Sequence, residues 1–164
     1  MRERHDGMTA LVVELFRLNG ELLSAGDELV AGLGLTSARW QVLGAIDLSP
    51  IPLPVAQTAR NMGLSRQAVQ RIANELAAEG LVAFSPNPQH QRAKLLAMTP
   101  KGRRAFDAAM ALQRPWIEAL GSDISDAQIA AAHGVARALR QRLADNAVRK
   151  RAGRGMSNAH QEQF

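Results

Sequence analysis

One short segment of the chain has the two opposed faces of a helix that rests on a protein core. It reads LSRQAVQRIANEL and covers residues 64–76. At about 100° per residue, its arginine, glutamine and asparagine side chains fall on one side, and its alanine, valine and isoleucine side chains fall on the other. Ser65 suits the N-cap position, and glycines stand at positions 63 and 80. The segment therefore predicts an amphipathic helix with a buried apolar face.

The polar face of this predicted helix carries side chains that can read the bases of DNA. Arginine can form two hydrogen bonds with guanine, and glutamine can form two with adenine. The alternative interpretation is an ordinary solvated surface, but such surfaces usually mix Glu and Lys. Two acidic residues, Glu75 near the end of the segment and Glu79 just after it, are expected to lie away from the polar face. The composition of this face thus favours contact with a nucleic acid.

The charge distribution along the chain supports this interpretation. The 164 residues carry a formal net charge of +5. Residues 54–104 hold eight basic and two acidic side chains, whereas residues 1–53 hold four basic and seven acidic ones. Positive charge that is clustered in one patch attracts phosphate more effectively than the same net charge spread over the whole chain. The predicted helix therefore lies in the part of the folded body that suits a phosphate backbone best.

The segments around this helix form an ordered series. A shorter helix over about residues 54–62 and a turn at Gly63 come before it, which makes a helix-turn-helix. Two strand-like runs, LVAF and AKLLAM, flank the polar stretch SPNPQHQR and predict a hairpin after it. Thr99 and Pro100 open a long helix to about Leu120. Further helices are predicted from about Met8 to Ala31, from Thr36 or Ser37 onward, and from about Ser125 to Asn146.

The first and last of these helices carry apolar residues at alternating spacings of three and four. This spacing is typical of helices that pack along another helix. The residues are Leu11, Leu15, Leu18, Leu22, Ala25 and Leu29 in the first helix and Ile129, Ala132, Ala136, Leu139 and Leu143 in the last. Residues 147–164 are basic, contain glycine and hold few apolar side chains, so we predict a disordered tail there.

These elements, in this order, resemble the MarR family of winged helix-turn-helix regulators. The resemblance covers roughly residues 8–146 and rests on LTSARWQVL, ARNMGLSRQAVQRIANELAAEGLV, NPQHQRAKLLAMTPKG and the closing helices. It implies a mainly α fold with a small two- or three-stranded β-wing. Residues 36–99 would form the DNA-binding lobe, and residues 1–35 and 100–146 would form a helical dimerisation region.

The resemblance also implies a function and a set of site residues. Members of this family typically act as homodimers on pseudo-palindromic DNA operators, and many release DNA when a small molecule binds. We therefore expect a transcriptional regulator, with repression more expected than activation. The alternative is an effector-independent winged-helix module that binds DNA architecturally or binds a protein. By position, the DNA-contacting residues would be Ser65, Arg66, Gln67, Gln70, Arg71 and Arg92.

The wing departs from the family pattern at one position. Relatives usually carry an Asp-x-Arg pair there, whereas this chain reads His90-Gln91-Arg92. Either His90 positions Arg92 by a neutral hydrogen bond, or Arg92 is held more loosely. A second departure is Thr58, where relatives usually have an apolar residue, and its hydroxyl is expected to bond back within its own helix.

The histidine at this position predicts a dependence of DNA affinity on pH. A protonated His90 would add positive charge to the wing, so affinity should be higher at pH 6 than at pH 8. Titration of a labelled operator at fixed salt concentration measures the difference. Equal affinities at the two pH values would contradict the prediction.

The family resemblance also places an effector pocket between the helical region and the DNA-reading lobe. The side chains expected to contribute to it are Trp40, Leu43, Phe106 and Met110. Their apolar character suits a small aromatic or amphipathic ligand.

Other classes of function find little support in the sequence. The chain contains no cysteine, and its histidines, His5, His90, His133 and His160, are not spaced three or four residues apart, so no metal site is predicted. No nucleophile can be paired with a base, so we predict neither an enzyme nor a cofactor. The chain lacks a signal-like run and any stretch of 18 uncharged apolar residues, so we expect a cytoplasmic protein without a membrane partner.

Overall fold

The computed structural model describes the backbone of residues 2–90 and 92–161 and the side chains of residues 3–90, 92–147 and 149. This part of the chain contains six α-helices, one 3-10 helix and three short strands. The helices are α1 (Arg2–Val30), α2 (Ser37–Asp47), α3 (Val55–Met62), α4 (Arg66–Ala78), α5 (Pro100–Leu120) and α6 (Asp126–Gln161), with the 3-10 helix at Ala31–Leu33. The strands are β1 (Leu53–Pro54), β2 (Val82–Ser85) and β3 (Leu95–Met98).

The three strands form one antiparallel sheet in the order β1, β3, β2. Strand β3 lies in the centre, with Val82 opposite Met98 on one side and Leu53 opposite Leu96 on the other. The predicted fold class, mainly α with a small β-wing, is therefore confirmed. Strand β1 was not predicted. Its Pro54 is tolerated because β1 is an edge strand, where the missing N–H is not needed.

The chain divides into two compact units, residues 1–116 and 117–164. The first unit contains the hydrophobic core, and its largest fully buried side chains come from α1, α2, α4 and β3. These are Val30, Val42, Leu43, Val69, Leu76 and Leu96. Helix α4 buries Val69, Ile72, Ala73 and Leu76 on one face, as its sequence pattern predicts. The second unit consists of the end of α5, a short turn and α6.

Side-chain caps begin the helices at the predicted residues. The Thr36 hydroxyl accepts from the Arg39 amide at 3.3 Å, and the Ser65 hydroxyl accepts from the Ala68 amide at 3.1 Å. Gly63 follows α3 with φ of 68°, in the left-handed region that glycine adopts without strain. The Thr58 hydroxyl donates to the Pro54 carbonyl at 3.3 Å, so its predicted bond within the helix is also confirmed.

Two boundaries differ from the sequence prediction. Helix α1 begins before Met8 and continues through Gly20 without a break. Helix α6 extends to Gln161, past the end predicted near Asn146 and into the segment for which disorder is predicted, while residues 162–164 lie outside the described residues. The tail contains no proline and several alanines and arginines, which are good helix formers, and these prevail over its two glycines.

No single helix in the described part of the chain is long and apolar enough to cross a membrane. Residues Glu3–Leu33 and Ser37–Asp47 pass that test only as a pair bent by 83°, and they do so by length and composition alone.

Candidate DNA interface and apolar cavity

The polar face of α4 is open to solvent at the beginning of the helix. Ser65, Arg66, Gln67 and Arg71 are exposed, and Gln70 is half-buried. The opposite face is fixed in the core, so this helix cannot rotate to hide its polar side chains without exposing its apolar ones. The arrangement is the one that the sequence pattern predicts for a base-reading helix.

A groove of about 550 Å³ separates α4 from the wing. Arg66 and Gln70 line it from α4, while Arg92 and Lys94 line it from the wing. The structure therefore brings together three of the predicted DNA-contacting residues. Ser65, Gln67 and Arg71 lie outside the groove lining.

Lys94 and Asn74 also line this groove and were not among the predicted site residues. Lys94 stands two positions after Arg92 and directly before β3, which begins at Leu95. Alternate residues of an extended segment lie on the same side, so this spacing could have indicated that Lys94 accompanies Arg92. Asn74 stands one turn after Gln70, and the Gln70 amide donates to the Asn74 side-chain oxygen at 2.9 Å. The pair forms a row of amide groups along the groove.

Arg71 is paired with a carboxylate, in contrast to what the sequence pattern suggests. Its Nη1 lies 2.7 Å from Oε1 of Glu75, one turn further along α4. Glu75 stands beside the edge of the polar face, and it reaches Arg71 because side chains four residues apart in a helix are neighbours. In this state Arg71 has one of its donors occupied, whereas Arg66 has no ion pair among the described residues.

The turn at the wing tip is closed by backbone hydrogen bonds. The His90 amide donates to the Asn87 carbonyl at 3.1 Å, and the Ala93 amide donates to the His90 carbonyl at 3.0 Å. Between the described side chains of His90 and Arg92 there is no hydrogen bond, and Arg92 is exposed. Of the two alternatives for this departure from the family pattern, the structure agrees with the second.

Two basic residues bind the C-terminal end of α4 at Glu79. Arg39 of α2 forms an ion pair with Glu79, and its other guanidinium nitrogen donates to the Gly34 carbonyl at 2.9 Å. The Lys101 ammonium donates to the Glu79 carbonyl at 2.8 Å. Cations at a helix C-terminus complement its exposed carbonyl groups. These bonds attach α4, the helix expected to read bases and here called the recognition helix, to α2 and α5.

A second cavity, here called the apolar cavity, has a volume of about 610 Å³ and is lined by residues of α1, α2 and α5. Trp40, Phe106 and Met110 line it as predicted, and Trp116 joins them. Leu43 does not, because it is fully buried in the core beside Val42. Leu43 was predicted from its apolar character, which does not distinguish a cavity wall from a core position.

One cation and two carboxylates lie on the wall of the apolar cavity. Nη1 of Arg103 is 2.5 Å from Oδ1 of Asp47 and 3.6 Å from Oδ1 of Asp107. The hydrogen bond to Asp47 raises the pKa of the Arg103 guanidinium above its usual value, and the charges of both carboxylates act in the same direction. The contact between Arg103 and Asp107 could be predicted from the sequence, because the two residues stand four apart in one helix. The contact with Asp47 could not, because Asp47 is remote in sequence. In the described part of the chain no group of three or more His, Asp or Glu side chains could hold a metal ion.

A helix-turn-helix with a basic groove between its second helix and a β-wing defines a winged helix-turn-helix DNA-binding protein. Comparison with known families agrees, since the sequence profile of the MarR family matches residues 33–93. The chain belongs to the MarR family and is a DNA-binding transcriptional regulator. Members of this family are transcription regulators and not enzymes.

Relatives in sequence are found in bacteria. An uncharacterised protein of Mycobacterium tuberculosis is 42% identical over 103 residues, which are 63% of this chain and 71% of that protein. The transcriptional activatory protein BadR of Rhodopseudomonas palustris is 28% identical over 116 residues, which are 70% of this chain and 65% of BadR.

Solved structures of the family share the fold. CouR from Rhodococcus jostii RHA1, solved with bound p-coumaroyl-CoA, is 25% identical with a TM-score of 0.71, and the match covers 79% of this chain and 90% of CouR. The regulator MOSR of M. tuberculosis, solved in complex with DNA, is 25% identical with a TM-score of 0.64, and the match covers 79% of this chain and 97% of MOSR.

Proposed function

We propose that this regulator is a homodimeric cytoplasmic repressor that binds a pseudo-palindromic operator and releases it when a small aromatic or amphipathic molecule binds. The observation that carries the DNA part is the groove shared by Arg66, Gln70 and Arg92. In this proposal the start of α4 enters the major groove, where Arg66 and Gln70 contact base edges, and the wing brings Arg92 to the adjacent minor groove. Ser65, Gln67 and Arg71 contact either bases or phosphates.

The dimer part of the proposal rests on exposed apolar side chains. In the first unit, α1 exposes Phe16 by 74% and also exposes Val13 and Leu18. In the second unit, α6 exposes Leu143 by 70% and Ile129 by 49%. Large apolar side chains exposed on a helix in this number are typical of a surface that a partner covers. We therefore assign residues 1–35 and 100–146 to dimerisation and residues 36–99 to DNA binding.

Replacing Leu143 with lysine should weaken the dimer. Burial of a leucine contributes about 1.5–3 kcal/mol, so the dissociation constant should rise by about tenfold or more. Sedimentation velocity over a concentration series measures it, and circular dichroism checks that α6 stays helical. Gln141→Lys, an exposed polar position two residues away, is the matched control. If the Leu143→Lys dimer is as stable as the Gln141→Lys dimer, the assignment of α6 to the dimer interface is contradicted.

The effector part of the proposal is supported by the apolar cavity. Its volume of about 610 Å³ is that of a site for a small organic molecule, and indole, phenyl and thioether groups form much of its wall. CouR, a relative in structure, was solved with p-coumaroyl-CoA. Helix α2 carries Trp40 on the cavity wall and Arg39 in the ion pair with Glu79 of α4. A ligand that displaces α2 would therefore act on the end of the recognition helix.

Selection of bound sequences from random duplex DNA tests the proposal most directly. A selected duplex should bind at least about 10³-fold more tightly than a scrambled duplex of the same length. Equal affinities would favour the architectural alternative instead. A reporter gene behind the selected operator then determines the sign of regulation, which matters because BadR is described as an activator. Expression that falls when the protein is supplied supports repression, and expression that rises contradicts it.

A further inference from the structure

The wall of the apolar cavity carries more negative than positive charge. Asp47, Asp107 and Arg103 are the acidic and basic side chains among its lining residues. The guanidinium of Arg103 contacts both carboxylates, at 2.5 Å and 3.6 Å, and lies 5.8 Å from the centre of the Phe106 ring. The single positive charge of the wall is therefore already matched by two negative charges.

A ligand with a carboxylate would meet an unfavourable arrangement here. To reach Arg103 it would have to compete with Asp47, whose contact is the shorter of the two, or with Asp107. The displaced side chain would then be left as an unpaired charge beside the ligand's own negative charge. Both the lost ion pair and the repulsion between like charges oppose binding.

A ligand with a positive charge would meet the opposite arrangement. Asp107 is 63% exposed and is held by Arg103 only at 3.6 Å, so its carboxylate can accept a second cation without losing its first contact. The indole rings of Trp40 and Trp116 also line the cavity, and aromatic faces attract cations. Carboxylate and indole groups together are the usual surroundings of a bound ammonium group.

We propose that the apolar cavity selects aromatic ligands that carry a quaternary or protonated ammonium group over aromatic carboxylates. This inference rests on the proposed function, in which the cavity is the effector site, and it adds the charge class of the effector.

Three phenyl compounds that differ in one terminal group form the first test. They are 4-phenylbutyltrimethylammonium, the neutral 4-phenylbutanol and 5-phenylpentanoate. The two tryptophans of the chain both line the cavity, so intrinsic fluorescence reports binding there directly. The ammonium compound should bind the full-length protein with a dissociation constant about tenfold lower than that of the carboxylate. Equal binding, or tighter binding of the carboxylate, overturns the inference.

A pair of isosteric variants forms the second test. Asp107→Asn should lose about tenfold in affinity for the ammonium compound and should bind the carboxylate more tightly than the parent, because Arg103 then has one competitor fewer. Asp123→Asn removes the same charge from the turn after α5, outside the cavity lining, and should behave like the parent. An Asp107→Asn protein that matches the Asp123→Asn control overturns the inference.

The same compounds separate this inference from the proposed function. Each is added to the protein bound to its selected operator duplex. If all three bind equally and release the duplex, effector control stands and the charge preference is overturned. If none binds and the duplex stays bound, the charge preference and the effector role are both overturned, while DNA binding remains.

Discussion

Replacing Gly102 with alanine is expected to destabilise the protein by about 3 kcal/mol or more. A Cβ atom at this position would lie 1.9 Å from the carbonyl oxygen of Leu81 and 3.0 Å from the side chain of Met98. The first contact is with a backbone atom, which cannot rotate away as a side chain could. The first turn of α5 would therefore have to move off the sheet, and overpacking of this kind costs about 1–3 kcal/mol even where side chains can adjust.

The neighbouring hydrogen bonds increase the cost of that movement. The Leu81 carbonyl accepts from the Thr99 amide at 3.1 Å, and the Gly102 amide donates to the Thr99 hydroxyl at 3.0 Å. Thr99 is the N-cap of α5, so separating Gly102 from Leu81 also disturbs the cap. Because Leu81 directly precedes β2, the wing should shift as well, and operator affinity should fall together with stability.

Thermal unfolding at one fixed protein concentration measures the effect of Gly102→Ala. For a chain of this size the midpoint should fall by about 10 °C. Gly44→Ala is the matched control, because a Cβ there would meet Phe106 at 3.6 Å, an ordinary contact, and alanine favours the helix by about 1 kcal/mol over glycine. A Gly102→Ala protein that unfolds at the same temperature as the parent would contradict the packing of α5 on the sheet.

Replacing Arg66 and Arg92 together with alanine is expected to reduce operator affinity by about 100-fold or more. Each arginine that contacts bases or phosphates contributes about 1–3 kcal/mol, and the two stand on opposite sides of one groove. Both side chains are exposed, so the midpoint of thermal unfolding should stay that of the parent. The dependence of affinity on salt concentration should also become weaker, because fewer counterions are released.

The measurement is a titration of labelled operator duplex at several salt concentrations. Arg17→Ala removes the same charge from α1, where the arginine side chain is 71% exposed, and it should bind almost like the parent. Arg71→Ala should lose less affinity than Arg66→Ala, because Glu75 already neutralises Arg71 in the free protein. A double variant that binds like Arg17→Ala would show that the groove between α4 and the wing does not receive DNA.

The local features of this fold could be predicted from the sequence because each depends on residues that are close together in the chain. The caps at Thr36 and Ser65 and the left-handed turn at Gly63 follow from the chemistry of single residues. The buried face of α4 follows from the period of the helix. The wing follows from two strand-like runs that flank a polar hairpin.

The features that were missed depend on residues that are far apart in the chain. Leu43 and Trp40 share one helix and are both apolar, yet one lies in the core and the other lines a cavity. Glu79 pairs with Arg39, which is 40 positions earlier.

The sequence by itself determined which face of each helix is apolar, where most of the helices begin, and that Arg and Gln side chains point outward at the start of α4. Only the tertiary structure decided that Arg92 lies across a groove from Arg66, that Asp47 pairs with Arg103, and that no side chain fits at Gly102. The physical reason is that helical periodicity specifies a direction around one axis, whereas contacts depend on the distances between axes, which the packing of the whole core sets.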